Sequence, residues 1–266
     1  MSTYVISDIH GCYNEFMEML HRIKLNNEDK LYLAGDYVDR GPASAKMLRW
    51  LENCPLNVFP IKGNHDVEFV ENVRMMKALD KQEELETDYD LVEDTKALYD
   101  SVKYILNRKS DEAAIYFDYY GGIRNMIDAD GVTFRELLGW AEMISKYSFY
   151  HRFILNGRDT VIVHAGFVEN EGESELLSRV AEEFYLYARD ESIADGGVEH
   201  GMIIAGHTPT IMKKMFCYNK GKIYRYFDKK KDCIFYDIDC GAVFRGTDKD
   251  AHMACLRLED EEVFYL

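Results

Sequence analysis

Apolar positions along the chain follow two periods in turn, one of strands and one of helices. "TYVISD" (3–8) is a β-rich apolar run that ends in an acid. The stretch 12–25 then places Phe16, Met19, Leu20 and Ile23 at helical spacing. "KLYLAGD" (30–36) predicts a second strand. Pro42 opens "PASAKMLRWLEN", and proline suits a helix start because its missing N–H is one the helix would leave unpaired. "NVFPIKGN" predicts a third strand, so the first 65 residues read β-α-β-α-β, an order that implies a mostly parallel sheet. From about 66 to 110 the pattern is helical and highly charged, as in "VEFVENVRMMKALDKQEELE", with a break expected between Asp88 and Asp94. Further helices are predicted at 133–147 and at about 174–188, and strands at "TVIVHAG" (160–166) and "GMIIAGH" (201–207). From residue 222 onward the chain is β-rich, in "KIYRYFD", "CIFYDID", "HMACLRLED" and "VFYL". No repeat and no Gly/Ser linker divides it, so residues 1–266 read as one α/β domain with a helical excursion at about 66–110.

Polar residues gather where the strands end. The first strand ends in "SDIHG", with Asp8 and His10; the second in "GDYVDRG", with Asp36, Asp39 and Arg40; the third in "GNHD", with Asn64, His65 and Asp66. The next two end in "HAG" and "GHT", with His164 and His207. Ligands of open α/β sheets bind at the carboxyl ends of the strands. Alone, an Asp-x-His after a strand reads more readily as a turn or helix cap, "GNHD" as a tight turn, and "GHT" says little; "GDYVDRG" is harder to dismiss, because Asp36, Asp39 and Arg40 at one turn need partners. The conjunction of these motifs, with oxygen and nitrogen donors at five successive strand ends, reads as one site for divalent Mn, Fe or Zn, and the absence of thiolates argues against an iron–sulfur centre.

Composition narrows the partners. The formal net charge is -16, from 48 acids against 32 bases, a poor match for duplex nucleic acid or an anionic membrane. No apolar run approaches the roughly 20 residues of a membrane helix. The chain enters its first strand with no basic or cleavable leader, and six cysteines at 12, 54, 217, 233, 240 and 255 lack C-x-x-C or zinc spacing. Reduced thiols and a cytoplasmic setting are expected.

Together these stretches resemble the metallophosphoesterases, and within them the bacterial branch of the serine/threonine phosphoprotein phosphatases. The resemblance rests on "SDIHG" (7–11), "GDYVDRG" (35–41), "KGNHD" (62–66), "HAG" (164–166) and "GHTPT" (206–210), with weaker agreement in "YYGG" (119–122), "YARDE" (187–191) and "IDCGAVF" (238–244). It implies a four-layer α/β/β/α sandwich, with two mixed β-sheets face to face and the metals at the sheet edge. It implies two divalent metal ions, Mn foremost with Fe or Zn as alternatives. Asp8 and His10 would bind the first, Asp36 would bridge both, and Asn64, His164 and His207 would complete the second. Arg40, Asn64 and Arg189 would hold the phosphate, and His65 with Asp39 would form the acid dyad. The implied reaction is in-line attack by hydroxide held between the metals, with a proton given to the leaving oxygen.

Some positions depart from the family. Lys62 stands where arginine is usual before "GNH", and Asp66 where many members carry glutamate. The excursion at 66–110 reads either as a wall of the cleft or as a surface hairpin. "IYFDYYGG" (115–122) can line the cleft, while Tyr116 and Phe117 can equally pack in the core. Cys12 reads as a helix-start residue, the other cysteines as buried fillers, and Asp237 and Asp239 as the polar face of a strand. On substrate, the leading expectation is a phosphorylated protein or small phosphomonoester, because Asp39 completes a dyad suited to a poor alkoxide leaving group. The alternative is a symmetrical diadenosine tetraphosphate hydrolase, with the same site on an anhydride. A non-catalytic binder is disfavoured by intact donors at every metal position.

Overall fold

The computed structural model describes residues 1–85, 87–120, 122–169, 175–190, 192, 196–212 and 219–266. Strands β1 (Thr3–Ile6), β2 (Lys30–Leu33) and β3 (Val58–Pro60) pair in parallel, as their β-α-β-α-β order predicts. The C-terminal strands β9 (Ala254–Arg257) and β10 (Glu262–Tyr265) add antiparallel beside β1, giving the order β10-β9-β1-β2-β3. The second sheet holds β4 (Tyr150–Leu155), β5 (Arg158–Val163), β6 (Gly201–Ala205), β7 (Tyr224–Asp228) and β8 (Cys233–Asp237), in the order β4-β5-β6-β8-β7. Its three central strands are parallel and its edges antiparallel. Both sheets are therefore mixed, as the family resemblance implied; the mostly parallel reading holds only for their centres.

Alternation along the central strands explains the layering. In a strand successive side chains face opposite ways. Val5, Tyr32 and Ala34 of the first sheet meet Ile162, Met202, Ile204, Ile234 and Tyr236 of the second in one buried cluster between the sheets. The intervening residues face outward. Tyr4, Ile6, Leu31 and Leu33 lie under helices, and Val161, Val163, Ile203 and Phe235 pack with Ala181 and Tyr185 of α8 (Glu175–Tyr187). Each fully buried aliphatic side chain contributes about 1.5–3 kcal/mol, so both faces of both sheets help hold the sandwich.

The helical layer over the first sheet comprises α1 (Tyr13–Arg22), α2 (Ser44–Glu52), α3 (Asn64–Gln82), α4 (Val92–Lys109), α5 (Asp111–Tyr119), α6 (Ile123–Asp130) and α7 (Phe134–Ser145). The expected break falls between Gln82 and Val92. α7 starts where "TFRE" closes a capping box, with the Thr133 hydroxyl and the Glu136 carboxylate exchanging bonds with each other's backbone N–H. The excursion runs further than 110, through α5 and α6. α2 begins two residues after Pro42, and α3 begins on Asn64, so "GNHD" is a first helical turn. β4 was not anticipated: it is an edge strand with partly exposed side chains, "YHRFIL", whose polar residues hide the β signal. Cys12, Cys233, Cys240 and Cys255 are buried and Cys54 is half-buried, all as free thiols, while Cys217 lies outside the described residues. Among the described residues no helix is long and apolar enough to cross a membrane.

Candidate metal centre

The loops that leave β1 and β2 are laced together. Asp8 N–H donates to Gly35 O at 3.1 Å, His10 N–H to Asp36 O at 2.8 Å, and Gly11 N–H to Tyr37 O at 2.9 Å. This lacing requires an unusual backbone. Asp8, His10, Asp36, Asp39, Arg40 and His207 all have φ between 45° and 72°, the left-handed region. Non-glycine residues occupy it at a cost of about 1–3 kcal/mol each, and such strain concentrates at functional sites. Six residues assigned from motifs share the feature, which turn residues away from the site such as Lys24, Asn156 and Glu261 also show. The third loop fits as tightly, since a Cβ on Gly63 would stand 2.1 Å from Asp36 Oδ1. A Cβ on Gly206 would stand 2.1 Å from Asp8 Oδ2.

Two trios of donors converge, His10 with Asp36 and His65, and Asp36 with His164 and His207; within each, one ligand atom per residue lies within 4.8 Å of the others. Asp36 belongs to both. Its Oδ2 is 3.5 Å from His10 Nε2 and 3.5 Å from His164 Nε2. Asn64 Oδ1 adds itself to the second trio, 3.0 Å from His164 Nε2 and 3.0 Å from His207 Nδ1. His10 Nδ1 donates to Val38 O at 2.8 Å and His164 Nδ1 to Ala34 O at 2.9 Å, which turns both Nε2 atoms inward. Such backbone anchors fix the tautomer of metal-binding histidines. Burial, reinforced by neighbouring cations, pushes His10 and His207 well below the ordinary imidazole range. Burial also pushes the Asp36 carboxyl well above its usual range, against the pull of His65 and with the added charges of Asp8 and Asp66. Imidazole lone pairs, an amide oxygen and a carboxylate aimed at one another repel unless a cation lies among them. The residues present therefore fit two divalent ions that share Asp36.

The residues expected as acid dyad and phosphate arginine lie to one side. His65 Nδ1 meets Asp39 Oδ2 at 2.5 Å, and Arg40 reaches His65 Nε2 at 2.9 Å and His10 Nε2 at 3.1 Å. Burial alone would lower the His65 imidazole, but the charges of Asp36 and Asp39 and the Asp39 hydrogen bond outweigh it and raise the group. Arg189 sits at the rim with a guanidinium nitrogen 3.2 Å from Thr208 Oγ1. Asp8 is buried but absent from both trios; its carboxylate oxygens accept from His207 N–H at 3.1 and 3.0 Å. The Lys62 ammonium lies over the Phe149 ring at 4.4 Å.

Three acids carry more than the sequence reading gave them. Asp66 Oδ2 accepts from Asp36 N–H at 2.7 Å and Gly63 N–H at 2.8 Å, and Oδ1 from Tyr37 N–H at 2.9 Å. One buried carboxylate thus fastens the second loop to the third and starts α3. Asp237 and Asp239, expected on a polar strand face, are instead buried. Burial, with the charge of Asp8 on both and that of Asp239 on Asp237, pushes both carboxyls well above their usual range. They shape the turn after β8, where Asp239 N–H donates to Asp237 Oδ1 at 3.0 Å and Gly241 N–H to Asp239 Oδ1 at 2.8 Å. The signal was present: "CIFYDID" ends in acids as the donor strands do. Replacing Asp66 by alanine would leave up to three buried N–H groups without acceptors, at about 1–3 kcal/mol each. Asp66→Ala is expected to lower the unfolding free energy in urea by about 3 kcal/mol or more. A loss below about 1 kcal/mol would mean that other acceptors replace it.

Comparisons with known proteins agree with this geometry. The calcineurin-like phosphoesterase family model matches residues 1–210. A symmetrical bis(5'-nucleosyl)-tetraphosphatase of Buchnera aphidicola subsp. Baizongia pistaciae is 46% identical over 71 residues, 26% of each chain. Its counterpart in Wigglesworthia glossinidia brevipalpis is 40% identical over 86 residues, 32% of each. The matched stretches thus span about a quarter to a third of those relatives. The crystal structure of a metallophosphoesterase from Sphaerobacter thermophilus shares the fold, with TM-score 0.50 and 15% identity, over 100% of this chain and 86% of that one.

Proposed function

The chain belongs to the calcineurin-like phosphoesterase family, and from that premise we propose that it hydrolyses the phosphoanhydride of symmetrical dinucleoside tetraphosphates with two divalent metal ions. The observation that carries the hydrolytic part is Asp36, shared between two donor trios with Arg40 and His65 beside it. The choice of an anhydride over a phosphoserine ester is favoured by the activity named for the curated relatives.

Asp8, His10, Asp36, Asn64, His164 and His207 would hold the ions. Two divalent ions would neutralise phosphoryl oxygens and acidify water. The chain supplies the rest. Arg40 presents a guanidinium fork that matches phosphate oxygens two at a time. In the free protein that fork covers His65 Nε2. A bound phosphate competes for the fork and uncovers the nitrogen. Asp39 accepts the Nδ1–H, holds the ring and favours its cationic form, from which Nε2–H is given to the leaving oxygen. Asp66 keeps the loops that carry Asp36 and His65 in register.

A second reading, a phosphoserine or phosphothreonine monoesterase, is favoured by the His65–Asp39 pair, because an alkoxide needs a proton more than a nucleotide phosphate does. Parallel turnover of diadenosine tetraphosphate and a phosphoserine peptide by the Mn-loaded protein separates the two. We expect kcat/KM on the dinucleotide at least about tenfold higher, a transition-state difference of about 1.4 kcal/mol, with ADP as the sole nucleotide product. Faster turnover of the peptide would overturn the assignment.

A further inference from the structure

Beside His65 the helical excursion builds an aromatic wall that the metal chemistry does not use. Tyr120 follows α5 and lies 5.4 Å from the His65 ring, ring centre to ring centre. Tyr116 packs on it at 4.5 Å and Tyr119 at 4.8 Å. The wall is anchored, because buried Asn72 of α3 donates to Tyr120 O at 2.7 Å and to Phe117 O at 3.3 Å. The excursion is thus fixed against the site, and "IYFDYYGG" divides between roles: Phe117 is buried, while Tyr116 is 44% and Tyr119 64% exposed. A facing wall comes from the other sheet, where Tyr187 of α8 lies 6.4 Å from the His207 ring and is 42% exposed. Glu68 joins the two. Tyr187 donates its hydroxyl to Glu68 Oε1 at 3.2 Å, and Tyr116 lies close enough to feel the charge of the carboxylate. Glu68 is 5% exposed, yet its Oε2 has no hydrogen-bond partner among the described residues. A buried carboxylate oxygen without a donor calls for one.

We infer that these tyrosines and Glu68 form a base subsite, which takes the purine ring of a nucleotide whose phosphate lies at Arg40 and the donor trios. The inference rests on the dinucleotide reading and says where a base of that substrate is held. Exposed ring faces beside the proton donor place the subsite on the leaving-group side. A purine offers a π-face to tyrosine and N–H donors to the free carboxylate oxygen. A further phosphate would be repelled by Glu68, and a serine peptide brings no ring to stack.

AMP and ribose 5-phosphate share phosphate and sugar and differ only in the base. Calorimetric titration of the Mn-loaded protein is expected to show AMP binding about 5- to 100-fold more tightly, the range for stacking one base on an aromatic side chain. In Tyr116→Leu, and from the opposite wall in Tyr187→Leu, that ratio is expected to fall towards one. Equal affinities for the two ligands in the unaltered protein would overturn the inference. So would a preference for phosphotyrosine over phosphoserine peptides with no base preference, which would make the wall a peptide site. A protein that prefers AMP but does not cleave diadenosine tetraphosphate would keep the base subsite and lose the proposed reaction. One that cleaves it without preferring AMP would lose the subsite alone.

Discussion

Asp36→Asn is expected to abolish turnover and to leave the protein unable to hold either metal ion tightly. Asp36 is the one residue common to both donor trios, with a single oxygen 3.5 Å from an imidazole on each side. An amide keeps the shape but removes the charge that two cations would share. Divalent ions supply several kcal/mol of transition-state stabilisation, so kcat/KM should fall roughly 10³-fold or more. Elemental analysis after dialysis should show both positions depleted. Misfolding is separable from this loss. The buried carboxylate is costly without cations, as its raised proton affinity beside Asp8 and Asp66 shows, and asparagine can still accept the His65 N–H that now bonds Oδ1. The metal-free variant should therefore melt no lower than the metal-free parent. Full metal content with activity within about tenfold of the parent would rule out the bridging role.

His65→Asn is expected to discriminate between leaving groups. If His65 gives a proton to the departing oxygen, its removal hurts most where that oxygen is most basic. A serine alkoxide is far more basic than a nitrophenolate or a nucleotide phosphate. Loss on a phosphoserine peptide should lie in the range of about 10²–10⁴-fold for general acid catalysis, with much smaller losses on p-nitrophenyl phosphate and diadenosine tetraphosphate. Asp39→Asn should show the same bias more mildly, since Asp39 acts through the 2.5 Å bond to Nδ1. Because His65 also lies within the first trio, metal content must be measured alongside. Equal losses on all substrates, with metal lost, would make His65 a ligand and not an acid.

The motifs that gather at strand ends were legible because each is local: a strand, then a turn, then a donor. The two-sheet core was legible only through the family resemblance; in the structure Val161, Ile162 and Val163 alternate between opposite clusters. What escaped depends on contacts distant in sequence. Asp66 reads only as the last residue of the "GNHD" motif, yet two of its three donors lie some 30 residues earlier. Glu68 and Asn72 sit in a charged run that looks solvated, but both are buried, Glu68 bonded by Tyr187 of α8 and Asn72 bonded to Phe117 and Tyr120 at the end of α5. α5 and α6 were missed because the helical pattern thins in "IYFDYYGG", where tyrosines face the cleft and not a core. The left-handed backbone at Asp8, His10 and Arg40 leaves no trace in composition, because these residues hold it only by the bonds between loops.

The central claim is a pair of divalent ions sharing Asp36, and its most direct test is a metal titration of the chelator-stripped protein with activity and bound metal read together. Three imidazoles beside a carboxylate and an amide form a softer donor set than Mg prefers. The stripped protein should be inert, Mn should restore it better than Mg, and activity should level off as the second equivalent of Mn is bound. Full activity in the presence of chelator, or full activity with one ion bound, would contradict the account.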